Sequence, residues 1–267
     1  MKKVKAIAIL VLGLTLLFAL PATAGPVLDR ILKKGELVVG TSGDQPPLTA
    51  KNRKGEIIGL EADLAESFAA AMGVRLKFQV RSFSELLPAL LAGKVDLILS
   101  GMTITPKRNL KVAFVGPYFI SGKGILTKLE TVASAQDPGD INRPDFTLAA
   151  LRDSTSQLFA EQMIPDAKLV TTKTLDEALD LLFKGEVDAL IADHPFCAVA
   201  ALRYRGKRLV AGEARFTFEP IGIALPSNDP LLVNWIENFL SRLSASGALK
   251  QLEDRWFKNG SWLKELP

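Results

Sequence analysis

Short apolar runs alternate with segments of helical periodicity along most of the chain. Residues 36–41 are a β-rich run that ends in a turn cluster, and residues 76–80 are predicted to form another strand. Between them, residues 61–72 carry apolar side chains at helical spacing, and Gly73 provides a C-terminal stop. Residues 84–91 are predicted to form a helix with the first serine as its N-cap. Alternation of this kind predicts an α/β fold with parallel-rich sheets.

One helix–turn–strand pattern occurs twice. The segment LLAGKVDLIL at residues 90–99 has a counterpart in LFKGEVDALI at residues 182–191. In both copies a glycine ends a Leu-rich helix, and Val-Asp opens an apolar strand of the type that is buried on both faces of a parallel sheet. Two widely separated copies predict two lobes of similar design rather than a solenoid, which needs shorter and more numerous repeats. Chance similarity is the alternative.

Polar residues follow the carboxyl ends of these strands, where open α/β sheets bind ligands. The first strand runs into SGMTITPKR at residues 100–108, which supplies hydroxyls, backbone N–H groups and a guanidinium. The second strand ends at Asp193. A further strand is predicted to lead into a helix start at residues 154–156, and the N-terminus of a helix favours an anion. Together these groups predict a cleft that is complementary to a zwitterion.

The first 24 residues have the order of a secretory signal peptide. Three lysines precede an apolar run over residues 6–20, and the small-residue site Ala22-Thr23-Ala24 follows. The run is shorter than the ~20 residues that cross a bilayer, so an uncleaved anchor is the less favoured alternative. With Cys197 as its single cysteine, the chain can form no intramolecular disulfide. We predict export to a bacterial periplasm with cleavage after Ala24.

Composition and charge exclude several classes of protein. The chain has 267 residues, of which 48% are hydrophobic and 23% charged, and this excludes a disordered chain. Its 33 basic and 29 acidic residues give a net charge of +4, to which the N-terminal lysines contribute most. Without a persistent basic patch, no nucleic-acid partner is expected. No metal-ligand spacing or phosphate-binding glycine loop is visible, so no cofactor is expected.

The ordered set of motifs resembles the bacterial periplasmic solute-binding proteins that serve polar amino-acid ABC transporters. The motifs occupy residues 35–41, 59–64, 90–100, 101–108, 114–119, 187–193, 222–225 and 247–257. The resemblance implies the two-lobed periplasmic binding protein fold (type II), with parallel-rich sheets flanked by helices. Two hinge crossings are expected near residues 119–122 and 219–222. Lobe 1 would then comprise residues 25–120 plus 221–267, and lobe 2 residues 121–220.

The resemblance also assigns roles in ligand binding. Arg108 would pair with the α-carboxylate of an amino acid, for which a planar guanidinium suits bidentate contact, and Asp193 would bind its ammonium. Phe83 would pack on the ligand side chain. The groups that would complete the carboxylate site are Thr103 and the backbone of Ser100 and Gly101 in lobe 1, and Thr155 in lobe 2.

The loop after the first strand departs from the family pattern. Gln45 stands where an aromatic residue is frequent, and Ser42 stands where arginine- and lysine-binding members carry an acid. Both departures argue against a cationic ligand side chain. Asp44 and Gln45 could hydrogen-bond a polar side chain, or Asp44 could form an Asx turn. Glu61 replaces a common aspartate and is expected to cap or charge the first helical turn.

The implied function is that of a non-enzymatic receptor, expected to be monomeric, that delivers an amino acid or similar zwitterion to an ABC transporter permease. The same fold also occurs in cyclohexadienyl/prephenate dehydratase-like enzymes and in ligand-sensing modules. In the dehydratase pattern a glutamate stands three residues after an aspartate, whereas here the residue three positions after Asp193 is Phe196. His194 and Cys197 are spaced for a conceivable dyad, although no orienting third group is recognisable.

Overall fold

The computed structural model describes residues 25–267, so the predicted signal peptide lies outside the described residues. The α-helices are α1 Pro26–Lys34, α2 Leu60–Met72, α3 Phe83–Leu91, α4 Pro106–Asn109, α5 Glu130–Ala133, α6 Thr155–Met163, α7 Leu175–Lys184, α8 His194–Arg203, α9 Pro230–Ala245 and α10 Ala248–Phe257. The strands are β1 Glu36–Thr41, β2 Asp44–Gln45, β3 Thr49–Lys51, β4 Ile57–Ile58, β5 Arg75–Val80, β6 Leu97–Ile98, β7 Ala113–Ser121, β8 Lys123–Thr127, β9 Thr147–Leu151, β10 Lys168–Thr172, β11 Ala189–Asp193, β12 Val210–Ala211 and β13 Glu219–Leu225. Short 3-10 helices cover Pro138–Ile141, Arg205–Lys207 and Gly260–Glu265.

Two five-stranded mixed sheets form the framework. The first has the order β5-β1-β6-β13-β7, in which β1 is parallel to both of its neighbours. The second has the order β10-β9-β11-β8-β12, in which β9 is parallel to both of its neighbours. In each sheet the remaining strand pairs are antiparallel. The predicted α/β fold with parallel-rich sheets is confirmed. Every helix within residues 25–267 is too short or too polar to span a bilayer.

The helix–turn–strand pattern that occurs twice in the sequence corresponds to equivalent units in the two sheets. Helix α3 leads into β6, and α7 leads into β11. Asp96 and Asp188, the aspartates of the two Val-Asp pairs, each bond one residue of a neighbouring strand twice. The backbone N–H of Asp96 donates to Val38 O and its carboxylate accepts from Val38 N, both at 2.8 Å. Asp188 makes the same two bonds with Thr147, again at 2.8 Å. The two units are therefore built alike.

Local details of the predicted elements differ in two places. Helix α3 begins at Phe83, and Ser82 rather than Ser84 is its N-cap, because Ser82 and Glu85 form a reciprocal capping box. The first apolar strand is only two residues long, since β6 ends at Ile98 before the chain enters the Ser100–Arg108 loop. Strand β1 agrees with prediction.

The core of the first sheet continues into the C-terminal helices. Phe68 of α2 makes edge contacts with Trp235 and Phe239, both of α9. The carboxylate of Asp229, which is fully buried, accepts from Leu232 N of α9 and from Val27 and Leu28 of α1. One side chain thus holds the N-termini of two helices that are far apart in sequence.

The chain passes between the sheets at two places. Strand β7 of the first sheet ends at Ser121 and β8 of the second begins at Lys123, while the return runs from β12 into β13. The two passages touch each other, because Glu219 pairs with Ser121. A Cβ atom on the intervening Gly122 would lie 2.6 Å from the carbonyl oxygen of Thr217, so this approach requires glycine. The exact lobe boundaries, 120/121 and 220/221, stay a prediction.

Candidate functional site

A small polar cavity lies between the two sheets at the carboxyl ends of their central strands. Its lining residues are Gln45, Phe83, Gly101, Thr103, Lys123, Leu151, Ser154, Thr155, Ser156, Leu175, Ala192 and Asp193. Six of these twelve are residues that the sequence predicted as ligand contacts. The cavity volume is ≈ 20 Å³, which is room for about one water molecule. An amino acid can enter only if the walls move apart.

Arg108 stands at the edge of this cavity rather than in its wall. The short helix α4 begins at Pro106, after Thr105, whose hydroxyl accepts from Arg108 N at 3.2 Å. The guanidinium donates to Thr103 O at 2.9 Å and, across the cleft, to Asp153 O at 3.2 Å. It also lies over the Phe83 ring, 5.5 Å from its centroid. Burial lowers the pKa of Arg108, an effect that nearby carboxylates of Glu219 and Asp193 oppose.

Asp193 ends β11 and is buried, with both carboxylate oxygens in use. Its Oδ1 accepts from the Lys123 ammonium at 2.6 Å. Its Oδ2 accepts from the side-chain amide of Gln45, which comes from the other side of the cleft. The structure brings Asp193 and Gln45 together at the cavity, and Lys123 gives Asp193 an internal counter-charge.

Lys123 and Glu219 are charged cleft residues that the sequence reasoning missed. Both are buried, and their charged atoms are 3.6 Å apart. Glu219 Oε2 accepts from the hydroxyls of Thr103 at 2.7 Å and Thr155 at 2.9 Å. Burial by itself raises the pKa of Glu219, but the Lys123 ammonium and the threonine hydroxyls, Thr217 included, outweigh it and lower that pKa. The sequence offered one signal for these two residues, a single charge at each expected crossing. Lys123 directly follows residues 119–122, and Glu219 is the first of residues 219–222.

Ser100 and Asp44, two of the predicted site residues, do not line the cavity. Ser100 is buried, and its hydroxyl donates to the hydroxyl of Ser42 at 3.0 Å and accepts from Ser42 N at 2.9 Å. Asp44 neither lines the cavity nor closes the expected turn; its carboxylate accepts instead from Leu175 N at the start of α7, at 2.9 Å. This bond crosses the cleft, so Asp44 joins its two walls.

Glu61 supports the cavity from behind rather than capping its helix. It is buried in α2, and its Oε1 accepts from Gly101 N at 2.6 Å and from the hydroxyl of Tyr118. Its second oxygen, Oε2, has no partner among the described residues. Burial raises the pKa of Glu61 to about 7, although both hydrogen bonds oppose that rise. Glu61 thus stands in the first turn of its helix, as expected, but it does not cap that helix.

Two further reactive side chains, Cys197 and His194, lie in α8. Cys197 is buried in α8, and burial raises the pKa of its thiol to about 12. His194 begins α8, and burial, together with the charge of Arg215, lowers the pKa of its imidazole. Within residues 25–267 no group of three His, Cys, Asp or Glu side chains could hold a metal ion.

Comparison with known proteins agrees with this architecture. Residues 37–259 match the model of the bacterial extracellular solute-binding proteins, family 3. The chain belongs to this family. The predicted family is thereby confirmed, as is the class of two-lobed binding protein fold.

Three relatives illustrate the range of this family. ABC transporter arginine-binding protein 1 of Escherichia coli is 25% identical over 228 residues, which cover 82% of this chain and 89% of the relative. A solved structure of a putative ABC transporter binding component from Wolinella succinogenes, complexed with lysine, is 37% identical with a TM-score of 0.80, covering 86% of this chain and 99% of that one. Cyclohexadienyl dehydratase of Pseudomonas aeruginosa is 24% identical, covering 86% of each chain. The family match and these relatives support a place for this chain in the class of amino-acid receptors of ABC importers.

Proposed function

We propose that this protein is a periplasmic receptor that binds an amino acid between its two lobes and delivers it to the permease of an ABC importer. The observation that carries the proposal is the presence of Thr103, Thr155 and Asp193 on one cavity with Arg108 at its edge. Hydroxyl and guanidinium donors suit a carboxylate, and a buried acid suits an ammonium. An α-amino acid carries both groups.

The carboxylate end of the ligand would bind where the two lobes approach each other. Thr103 and Arg108 come from the first lobe, and the N-terminus of α6 with Thr155 comes from the second. The side chain of Ser154 caps this helix by accepting from Ser156 N and Gln157 N. Donors from both lobes converging on one anion would stabilise the closed form, which ligand favours only by its difference in affinity between the two forms.

The side chain of the ligand would extend toward Phe83 and Gln45. The named relatives include an arginine-binding protein and a structure that contains lysine. In this chain Ser42 stands where such family members carry an acid, and the cavity already contains balanced charges. These observations support a neutral side chain over a cationic one.

Export rests on residues 1–24, which have the order of a signal peptide. Cleavage after Ala24 would release a mature chain that begins just before α1. Two of the three named relatives are binding proteins of ABC transporters, and this supports a permease as the physiological partner. We expect the receptor to be a monomer. Fractionation of cells that express the full chain would test periplasmic export. A product that stays in the cytoplasm with the mass of the uncleaved chain would contradict export and cleavage.

Isothermal titration calorimetry of the mature protein against the twenty standard L-amino acids would test the binding function. We expect at least one amino acid to bind and to raise the melting temperature, because it binds only the native form. Asp193→Asn should weaken that binding, whereas Asp180→Asn, an exposed change on α7, should not. Failure of all twenty amino acids to bind would overturn the proposal.

A dehydratase is the second candidate, because Lys123, Asp193 and Glu219 are charged groups buried beside the cavity and one relative is such an enzyme. General acid catalysis needs a positioned proton donor. The residue three positions after Asp193 is Phe196, which is apolar and buried. Incubation with prephenate and arogenate discriminates: turnover that is lost in Glu219→Gln would favour the enzyme, and no turnover would favour the receptor.

A further inference from the structure

Two oppositely charged side chains lie at the base of the cleft, where the chain crosses between the sheets. Lys123 is the first residue of β8, and Glu219 is the first residue of β13. Lys123 is 2% exposed and Glu219 5% exposed, so both charges are shielded from water. Removing such charges from water is costly unless each finds partners. Which partners they find therefore matters for ligand binding.

The partners of this pair are the groups that the proposed function assigns to the ligand. The Lys123 ammonium lies 2.6 Å from Asp193 Oδ1, which is the position proposed for an α-ammonium. The Glu219 carboxylate accepts from Thr103 and Thr155, which are proposed for an α-carboxylate. The protein's own side chains thus make the contacts expected of a zwitterion.

We infer that Lys123 and Glu219 form an internal counterpart of the ligand, which competes with an amino acid for Asp193, Thr103 and Thr155. The inference rests on the proposed function, because it takes the ligand to be a zwitterion. Glu219 also connects the lobes, since its Oε2 accepts one hydroxyl from each side of the cleft. The pair therefore holds the cleft closed and sets the affinity for the ligand.

The geometry allows an exchange that leaves no buried charge alone. An incoming carboxylate can take the hydroxyls of Thr103 and Thr155, and this releases Glu219. Lys123 is already 3.6 Å from Glu219 and can pair with it. Asp193 then becomes available to the incoming ammonium. Thr217 stays in place as a partner of Glu219, to which its hydroxyl donates at 2.9 Å.

An internal competitor has an advantage over a free ligand. It loses no translational freedom on binding, whereas association of a separate molecule does. The apparent affinity for the ligand falls in proportion to the fraction of protein that is open to it. If the internal arrangement were populated to about 90%, its removal would strengthen binding about tenfold.

The double variant Lys123→Met/Glu219→Gln tests the competition directly. Glu219→Gln keeps the side-chain length and Lys123→Met shortens it by one atom, and together the changes leave the net charge unaltered. Titration with the twenty L-amino acids should show about tenfold tighter binding of the amino acid that binds the unaltered protein best. Lys128→Met is the matched control, because Lys128 is exposed and donates only to Phe183 O. Equal or weaker binding by the double variant overturns the inference.

Small-angle X-ray scattering without added amino acid tests the link between lobes independently of any ligand. Thr155→Val and Glu219→Gln should each give a larger radius of gyration than the unaltered protein. Thr155→Val removes a hydroxyl that lies 3.2 Å from that of Thr103 across the cleft, and Glu219→Gln weakens the bond that Glu219 accepts from Thr103. Thr131→Val, an exposed change on α5, should leave the radius unchanged. A radius that stays constant in Thr155→Val and Glu219→Gln also overturns the inference.

The two measurements separate this inference from the proposed function. If amino acids bind the unaltered protein but the double variant shows no gain, the receptor stands and the internal competitor is wrong. If no amino acid binds any variant, the receptor proposal is wrong, and the radius of gyration alone decides whether the pair links the lobes.

Discussion

Asp96 and Asp188 occupy equivalent positions in the two sheets, each bonded twice to one residue of the neighbouring strand. The carboxylate accepts from a backbone N–H in each case, that of Val38 within β1 and that of Thr147 at the start of β9. This shared contact is the structural counterpart of the Val-Asp pair that occurs twice in the sequence.

Asp188→Ala should destabilise the second lobe by about 1–3 kcal/mol, because the backbone N–H of Thr147 loses its acceptor in a partly buried position. Urea unfolding followed by circular dichroism measures this loss. Asp180→Ala on the exposed face of α7 serves as the control and should change the free energy of unfolding by less than about 0.5 kcal/mol. Equal effects of the two variants would contradict a stabilising role for the bond between Asp188 and Thr147.

Arg108→Ala should weaken amino-acid binding by ~2–5 kcal/mol, which is roughly 30-fold to several thousand-fold in the dissociation constant. The guanidinium would be lost from the edge of the cavity, along with its bond to Thr103 O. The dissociation constant of Arg108→Lys should lie between those of the unaltered protein and Arg108→Ala, because lysine keeps the charge but not the planar guanidinium. Calorimetry is the measurement, and Lys107→Ala, an exposed neighbour, is the control. An unaltered dissociation constant in a folded Arg108→Ala protein excludes the carboxylate contact.

Glu61 should make the protein less stable as the pH rises toward neutrality. Its pKa is raised in the folded state to about 7 by burial, against 4.5 for the free side chain. The folded state therefore binds the extra proton, so the stabilisation is complete below about pH 4.5 and is lost through pH 7. The difference corresponds to about 3 kcal/mol at most.

Unfolding in urea at several values between pH 5 and pH 8 checks the Glu61 prediction. Glu61→Gln should flatten the decline of stability with pH, since glutamine does not titrate but can still accept from Gly101 N and Tyr118. Glu66→Gln, an exposed change on the same helix, should leave the slope as it is. A slope that Glu61→Gln does not alter would assign the pH dependence to another group.

Asp229→Ala should destabilise the first lobe by about 3 kcal/mol or more. Its buried carboxylate accepts three backbone N–H groups from two helices, and hydrogen bonds to a charged group contribute about 1.5–3 kcal/mol each. Thermal or urea unfolding measures the effect, and Asn228→Ala is the exposed control. A loss below about 1 kcal/mol would mean that water replaces these contacts.

Several features of the fold followed from local patterns alone. The strand at residues 36–41, the helix that ends before Gly73 and the repeated Val-Asp unit each depend on periodicity or on a glycine with positive φ. These signals involve only a few neighbouring residues, so they can be recognised without knowledge of the tertiary structure. The N-cap of α3 was misplaced by two residues because Ser82 and Ser84 are chemically equivalent in sequence and only the bond with Glu85 separates them.

The site was predicted in part. Gly101, Thr103 and Asp193 follow strands whose carboxyl ends meet at the cleft, and this is a rule of sheet topology. Ser100 and Asp44 obey the same rule, yet their side chains turn to Ser42 and Leu175. Side-chain direction at the end of a strand depends on which backbone groups need partners nearby, and no local pattern reveals that.

The amino-acid sequence by itself determined the α/β class, the doubled unit, the family and half of the cavity wall, because each rests on short-range periodicity or on ordered motifs. Only the tertiary structure decided that Lys123 and Glu219 pair with Asp193, Thr103 and Thr155. The physical reason is that buried charges must find partners in space. Residues 123, 193 and 219 meet only after two distant crossing strands have been brought side by side.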